Sequence, residues 1–354
     1  KAISTAIEQL NTGDLLLVAG KGHEKIQDYG KKKVFFSDSK EILEAIENKN
    51  KYLSKDLKLN IIKEVSKTNI SNNLVIKNIS INSKTIKKND VFFAIKGKKI
   101  DGNKFVDEVF KKKSSLVIVN KLKKNYPPSK QVKVQNTLKF LTKCSSIFRE
   151  SIDAKIISIT GSCGKTTLKE MVGLTLKKIS KTTFSPKSFN NKYGVPLSLF
   201  NLKQDDNFGV FEVGMDKKGE IDNLTKIIKP DLGVITNISY AHSKNFKNIN
   251  KIASAKAEII DNIQKGGFII LNMDDNFYNF HKKLALKKRL KVFTFGIDSK
   301  FPNVKLIKIK KIKNIFNLHI NIDDLIVNFK SNNDNKSHLY NILATIAAIS
   351  CYVD

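Results

Sequence analysis

Along the chain the spacing of apolar residues changes character twice, and each change predicts a different kind of structure. From Ile156 onward, short, near-continuously apolar runs alternate with segments of helical spacing: 156–160 (IISIT), 209–213 (GVFEV), 231–238 (DLGVITNI), 267–272 (GFIILN) and 291–296 (KVFTFG). Runs that are apolar on both faces are expected of parallel strands covered by helices on each side. Residues 304–329 (VKLIKIKKIKNIFNLHINIDDLIVNF) instead alternate apolar with polar, which predicts antiparallel hairpins. Upstream, 60–150 predicts a small α/β domain: short strands in VIKNISINS, DVFFAIKG and SSLVIVN, a helix over Asn103–Lys112, then a strand and helix after Pro127-Pro128. Residues 1–48 predict a helix (AISTAIEQL), a strand over Asp14–Ala19, a short strand at Val34–Phe36 and a helix from Lys40 to Asn48. The lysine- and asparagine-rich 49–59 is expected to be a linker. The fold class is therefore α/β, with a mainly parallel sheet in 151–354, a smaller α/β domain before it and a partial Rossmann-like segment at the start.

What the apolar runs end in carries the chemistry. They terminate in Thr160-Gly161, Glu212, Thr236-Asn237, Asn272 and Gly296, and in an open doubly wound sheet ligands sit beyond the carboxyl ends of the strands. The first run continues as TGSCGKTT. Gly161 and Gly164 let the backbone curl so that amides of Gly161, Ser162, Cys163, Gly164, Lys165, Thr166 and Thr167 converge, and the following helix adds its positive end. Lys165 supplies a mobile charge for β- and γ-phosphates, and the Thr166 hydroxyl is placed to ligate Mg²⁺. Cys163 reads as a small filler, with no base beside it. Ile159 stands where the common phosphate-loop pattern has its first glycine.

Composition narrows the partners. The formal charge is +31, yet only Arg149 and Arg289 are arginine. Base and phosphate readers favour arginine's planar fork, so a lysine and asparagine excess spread along the chain points to coding bias. No specific nucleic-acid partner is expected, only weak, salt-sensitive affinity for polyanions. No apolar run approaches the roughly 18 residues of a membrane span, and no signal-like start is present. Cys144, Cys163 and Cys351 lack paired or metal-ligand spacing. A cytoplasmic, monomeric protein with reduced thiols is expected.

The ordered set FNNKYGVPLSL (Asn190, Asn191), EVGMDKKGEI (Glu212), His242, Lys256 in IASAKAEII and LNMDD (Asn272, Asp275) resembles the central domain of the Mur ligases, ATP-dependent amide-forming enzymes of peptidoglycan synthesis. That family's loop is T-G-x-x-G-K-T, which accounts for Ile159. With NSKTIKKNDVFFAIKGKKIDGNKFVDEVF, the likeness covers about 75–354 and is sharpest to the branch that joins D-Ala-D-Ala to UDP-MurNAc-tripeptide. It implies ATP and Mg²⁺ as cofactors, and those two compounds as substrates. Lys165 and the 161–167 amides would hold phosphates; Thr166 and Glu212 would ligate a first Mg²⁺, and His242 and a carbamylated Lys256 a second. Asn190 and Asn191 would lie near nucleotide and substrate, Asn272 and Asp275 near adenosine. Each has a bland alternative: Glu212 as a capped strand-end carboxylate, His242 as a structural loop histidine, Lys256 as a surface lysine and Asp274-Asp275 as a turn. Two rivals fit the same motifs: another ligase of the superfamily (diaminopimelate-adding or folylpolyglutamate synthase-like), and a non-catalytic ATP- or polyanion-binding module.

The departures are specific. The family's Asp-Ser-Arg uridine-nucleotide motif is Asn82-Ser83-Lys84 here, and lysine lacks the bidentate fork; Ser83 and Lys84 are the substrate-binding candidates. Asp-Gly-His is Asp101-Gly102-Asn103, and Leu339 replaces an asparagine in KSHLYN. The family's carboxy-terminal domain is not expected within these residues, and poor turnover by the chain alone is expected. NTGDLLLVAGKGHEKIQDYG resembles the end of a diaminopimelate-adding family member, with Gly20 and Glu24 matching its end-group contacts, which suggests a piece of a fused polypeptide that begins partway through a domain.

Overall fold

The structure, a computed structural model, describes residues 2–10, 14–20, 25–28, 30, 32–68, 70–71, 74–97, 99–240 and 245–352. The chain opens with α1 (Ala2–Gln9), a two-stranded antiparallel ribbon of β1 (Ile26–Asp28) and β2 (Lys33–Phe35), and a long α2 (Asp38–Ser66). Next come β3 (Ile79–Ser80), β4 (Val91–Phe93), α3 (Val106–Lys111), β5 (Leu116–Val119), β6 (Gln131–Lys133) and α4 (Thr137–Glu150). The four strands form one parallel sheet in sequence order. Alternate residues face opposite ways: Phe92, Val117 and Val119 pack on Val106 and Val109, while Phe93, Leu116 and Ile118 pack toward α4 and the larger core.

The remainder is β7 (Lys155–Thr160), α5 (Lys165–Ile179), β8 (Thr182–Phe184), α6 (Gly194–Leu199), β9 (Phe208–Glu212), α7 (Glu220–Ile228), β10 (Leu232–Ile235), α8 (Ile249–Lys256), α9 (Glu258–Asp261), β11 (Phe268–Asn272), α10 (Tyr278–Lys287), β12 (Lys291–Gly296), β13 (Val304–Ile312), β14 (Ile315–Ile322), β15 (Leu325–Ser331) and α11 (Lys336–Ser350). Nine strands make one sheet in the order β15-β14-β13-β12-β11-β10-β7-β9-β8, parallel from β8 through β13 and antiparallel thereafter. One face buries Ile157, Ile159 and Val210 against Leu168, Val172 and Leu176 of α5 and the alanine-rich side of α11. The opposite face joins Ile156, Phe211, Ile235 and Ile269 to α4, α7 and α9. Each such fully buried aliphatic side chain contributes about 1.5–3 kcal/mol. After β7 the chain steps to β8 and β9 on one side and then to β10 on the other. The end of β7 is thus a topological switch point, where strand order opens a crevice. Register brings the chemistry there: Ile159 pairs with Glu212, and Thr160 with Ile235.

The five apolar runs and the hairpins form as expected, and β8 is an additional edge strand the pattern did not signal. Two expectations fail near the start. Asp14–Ala19 forms no strand, and Leu15 and Leu17 are 92% and 82% exposed. An apolar run becomes a strand only beside another strand, and among the described residues none pairs with 14–19. The expected linker, 49–59, lies inside α2, whose cap is Ser37. Leu59 at its end, and Ile61 and Ile62 just beyond it on the same helix, are buried in the core shared with α4.

Candidate active site

The glycine loop between β7 and α5 has a shape only glycine permits. Gly161 has φ +146°, and a Cβ there would lie 1.9 Å from Thr236 Oγ1; Gly164 has φ +82° and faces Asn341 Oδ1. Gly164 is the N-cap residue of α5 with no capping side chain, so the first-turn amides of Lys165, Thr166 and Thr167 lack intrahelical acceptors and point at the crevice. The amides of Ser162 and Cys163 are committed instead: they donate to Asn237 O (2.9 Å) and Asn237 Oδ1 (3.1 Å). Cys163 is exposed, while Cys144 is buried, its thiol pushed up to about 12 by desolvation.

Lys165, in the first turn of α5, bends back to donate to Gly161 O (2.9 Å) and Ser162 O (3.1 Å). Burial lowers its pKa, and the Glu212 carboxylate opposes that shift. Thr166 Oγ1 donates to Glu212 Oε2 at 2.7 Å, and Asn190 Nδ2 donates to Glu212 Oε1 at 2.7 Å. Glu212 itself is 1% exposed, so a buried carboxylate is held between a hydroxyl and an amide. Lys256, at the end of α8, is 2% exposed and donates to Gly161 O at 2.8 Å. Desolvation, then the neighbouring Lys165 charge, lowers its pKa to about 7. It is a buried amine at the loop, not a surface lysine.

Other predicted residues also brace the scaffold. Asn191 Oδ1 accepts the Tyr193 and Gly194 amides, both at 3.0 Å, at the start of α6. Asn272 Nδ2 donates to Thr236 O (3.4 Å), and Asp275 Oδ2 accepts the Ile238 amide (2.7 Å). Asp274 accepts the Ile297, Asp298 and Ser299 amides and the Tyr340 hydroxyl, tying β11 to α11. Thr167 is exposed on α5. His242 and Glu24 lie outside the described residues; Gly20, outside any strand, sits beside the Asp38 carboxylate at the start of α2. Sequence reasoning missed Ser188, whose hydroxyl is 3.4 Å from Thr166 Oγ1, Ser239, which hydrogen-bonds Ser162, and the fully buried Lys169, which holds Lys187 O at 2.5 Å.

Two clefts meet at Asn191 and Tyr193. One, of about 520 Å³, runs from Lys165 past Asn190 to Gly214, Asp216 and Glu220. The other, of about 960 Å³, lies between the two larger sheets, with Ser83, Lys84 and Phe105 facing Ser188, Phe189 and Asn191. Lys112 Nζ donates to Ser83 O and Lys84 O and so fixes that turn. Among the described residues no three His, Cys, Asp or Glu side chains cluster as a metal site. Mg²⁺ needs no such cluster: it keeps waters and phosphate oxygens and takes one or two hard protein donors. Thr166 and Glu212 fit that chemistry.

A strand-end phosphate loop, a buried carboxylate across it and a second cleft alongside define an open-sheet nucleotide-binding class, and the chain belongs to the Mur ligase family. Residues 159–349 match the Mur ligase middle domain, and residues 75–148 match the Mur ligase family, catalytic domain. The chain is 36% identical over 244 residues to the UDP-N-acetylmuramoyl-tripeptide–D-alanyl-D-alanine ligase of Rickettsia prowazekii, covering 68% of this chain and 54% of that protein. To the same ligase of Buchnera aphidicola subsp. Baizongia pistaciae it is 35% identical over 254 residues, covering 69% and 55%. It spans about half the length of these curated relatives. Among solved structures it is similar to MurF from Acinetobacter baumannii (TM-score 0.75, 27% identity, 83% of this chain and 65% of that one). It is also similar to MurF ligase from Thermotoga maritima in complex with ADP (TM-score 0.70, 26% identity, 79% and 64%).

Proposed function

We propose that the chain carries the nucleotide and UDP-substrate sites of an ATP-dependent ligase that adds D-Ala-D-Ala to UDP-MurNAc-tripeptide. What carries the reading is the convergence of Lys165, the α5 amides and the Thr166–Glu212–Asn190 chain beside the 960 Å³ cleft. The likeness to ligases of that name supports the choice of substrates, and the ADP-bound relative supports the nucleotide.

In this reading the first-turn amides of α5 receive the phosphates, and Lys165 leaves its loop carbonyls to neutralise the β- and γ-phosphates. Thr166 and Glu212 would hold Mg²⁺, which lowers the repulsion between phosphate and an approaching carboxylate. Asn190 orients Glu212. Lys256, buried with a pKa lowered to about 7, is largely neutral at slightly alkaline pH, the form that reacts with carbon dioxide to give a carbamate. Ser83 and Lys84 border the cleft that would take the UDP-sugar. The peptide carboxylate attacks the γ-phosphorus, releasing ADP and giving an acyl phosphate. The amine of D-Ala-D-Ala then displaces phosphate and forms the amide. Preorganised charge is the main contribution a protein makes to such transfers.

Thermal-shift and phosphate-release measurements test this. UDP-MurNAc-tripeptide is expected to stabilise the chain together with MgATP, and D-Ala-D-Ala to stimulate phosphate release. Stabilisation and release driven by a folate and glutamate instead would replace this reading with the folylpolyglutamate one.

A further inference from the structure

The backbone N–H and C=O of Cys163, at the centre of the glycine loop, are both gripped from the neighbouring strand end. Asn237 Oδ1 accepts the Cys163 N–H at 3.1 Å while Asn237 Nδ2 donates to Cys163 O at 3.2 Å. The Asn237 carbonyl accepts the Ser162 N–H at 2.9 Å, and Thr236 Oγ1 donates to Cys163 O at 2.7 Å. Ser162 Oγ donates to Ser239 O at 3.0 Å and accepts the Ser239 amide at 2.8 Å. A primary amide offers donor and acceptor side by side, and so matches the N–H and C=O that flank one Cα. The strand end is itself held from the next turn, by Asp275 on the Ile238 amide and Asn272 on Thr236 O. Residues 236–239 therefore bridge the glycine loop to the 272–275 turn.

We propose that Asn237 is a positioning residue for nucleotide binding: it presets the glycine loop, so that the amides after Gly164 and the Lys165 ammonium converge before any phosphate arrives. This rests on reading the loop as an ATP site. Asn237 acts through Cys163 and not on the phosphates, because its Oδ1 and Nδ2 are both engaged by the Cys163 backbone. Without the grip, loop residues spanning two glycines would have to be ordered on binding, which weakens affinity.

Asn237→Ala, Asn237→Asp and Thr236→Ser, made in the full chain, test it through three readouts: amide hydrogen exchange at Ser162 and Cys163 without ligand, MgATP affinity by calorimetry, and melting. Asn237→Ala is expected to speed exchange and weaken MgATP binding ~10-fold, the loss of one or two net hydrogen bonds, with the melting temperature nearly unchanged. Asn237→Asp should fail to restore affinity, since a carboxylate has no donor for Cys163 O. Thr236→Ser keeps its hydroxyl and should bind as the parent does. If Asn237→Ala does not fold, Thr236→Val, which removes only the second grip on Cys163 O, makes the same comparison. Faster exchange with parental MgATP affinity overturns the proposal and leaves the ATP reading standing; unchanged exchange also overturns it. A parent chain that binds no MgATP overturns the ATP reading and the proposal together.

Discussion

The strand ends around β7 and the described part of the first 48 residues contain similar apolar runs, yet only the former lie in a strand paired on both sides. IISIT and DLLLVA look alike as sequence. Ile157 and Ile159 are fully buried between β9 and β10, whereas Leu15 and Leu17 lie open. The difference is partners: a strand flanked on both sides fixes its register, and a fixed register places Thr160, Glu212 and Thr236 within reach of one another. No described strand pairs with 14–19, so its register is not fixed by a sheet.

The largest effect expected on this contrast is at the loop. Gly161→Ala would push a Cβ into Thr236 Oγ1 at a φ of +146°, and should cost ~1–3 kcal/mol in strain and abolish MgATP binding; calorimetry and a melt check it. Lys165→Ala should abolish nucleotide binding with the fold intact by circular dichroism, and retained affinity would break the comparison at its centre. Next comes the core: Ile157→Ala should destabilise by ~2–5 kcal/mol in urea.

A smaller, pH-dependent effect is expected at Lys256. Its folded pKa, about 7, lies below the ordinary 10.5, so between those values the unfolded chain holds a proton that the folded chain lacks. Stability therefore rises with pH across that window, and the penalty is full below about pH 7. Lys256→Met should raise the melting temperature more at pH 6 than at pH 9; an equal gain at both contradicts the assignment. Smallest is Leu17→Ser, expected to change stability by less than ~0.5 kcal/mol because its side chain is exposed.

Much of the site is legible in sequence because it is local or positional. TGSCGKTT carries its own backbone demands, and Glu212 follows an apolar run whose end must meet β7. Lys256 is legible only through resemblance, since on a lysine-rich helix nothing local distinguishes a buried amine from a solvated one. The grip of Asn237 on Cys163 spans 74 positions, and no spacing rule reaches that far. Asn191 and Asp275 stand at their motif positions, and the structure adds what no motif states: their side chains also brace α6 and the 236–239 strand end. The linker at 49–59 misleads because lysine and asparagine colour its composition while the segment continues into the buried Leu59, Ile61 and Ile62 of α2.

The most direct measurement is a crystal structure of the chain with Mg²⁺ and a non-hydrolysable ATP analogue. The account predicts phosphate oxygens on the amides of Lys165–Thr167, Lys165 released from Gly161 O, and Thr166 and Glu212 on the ion. A nucleotide bound elsewhere, with Lys165 still folded onto its own loop and Glu212 turned away from the ion, would contradict it.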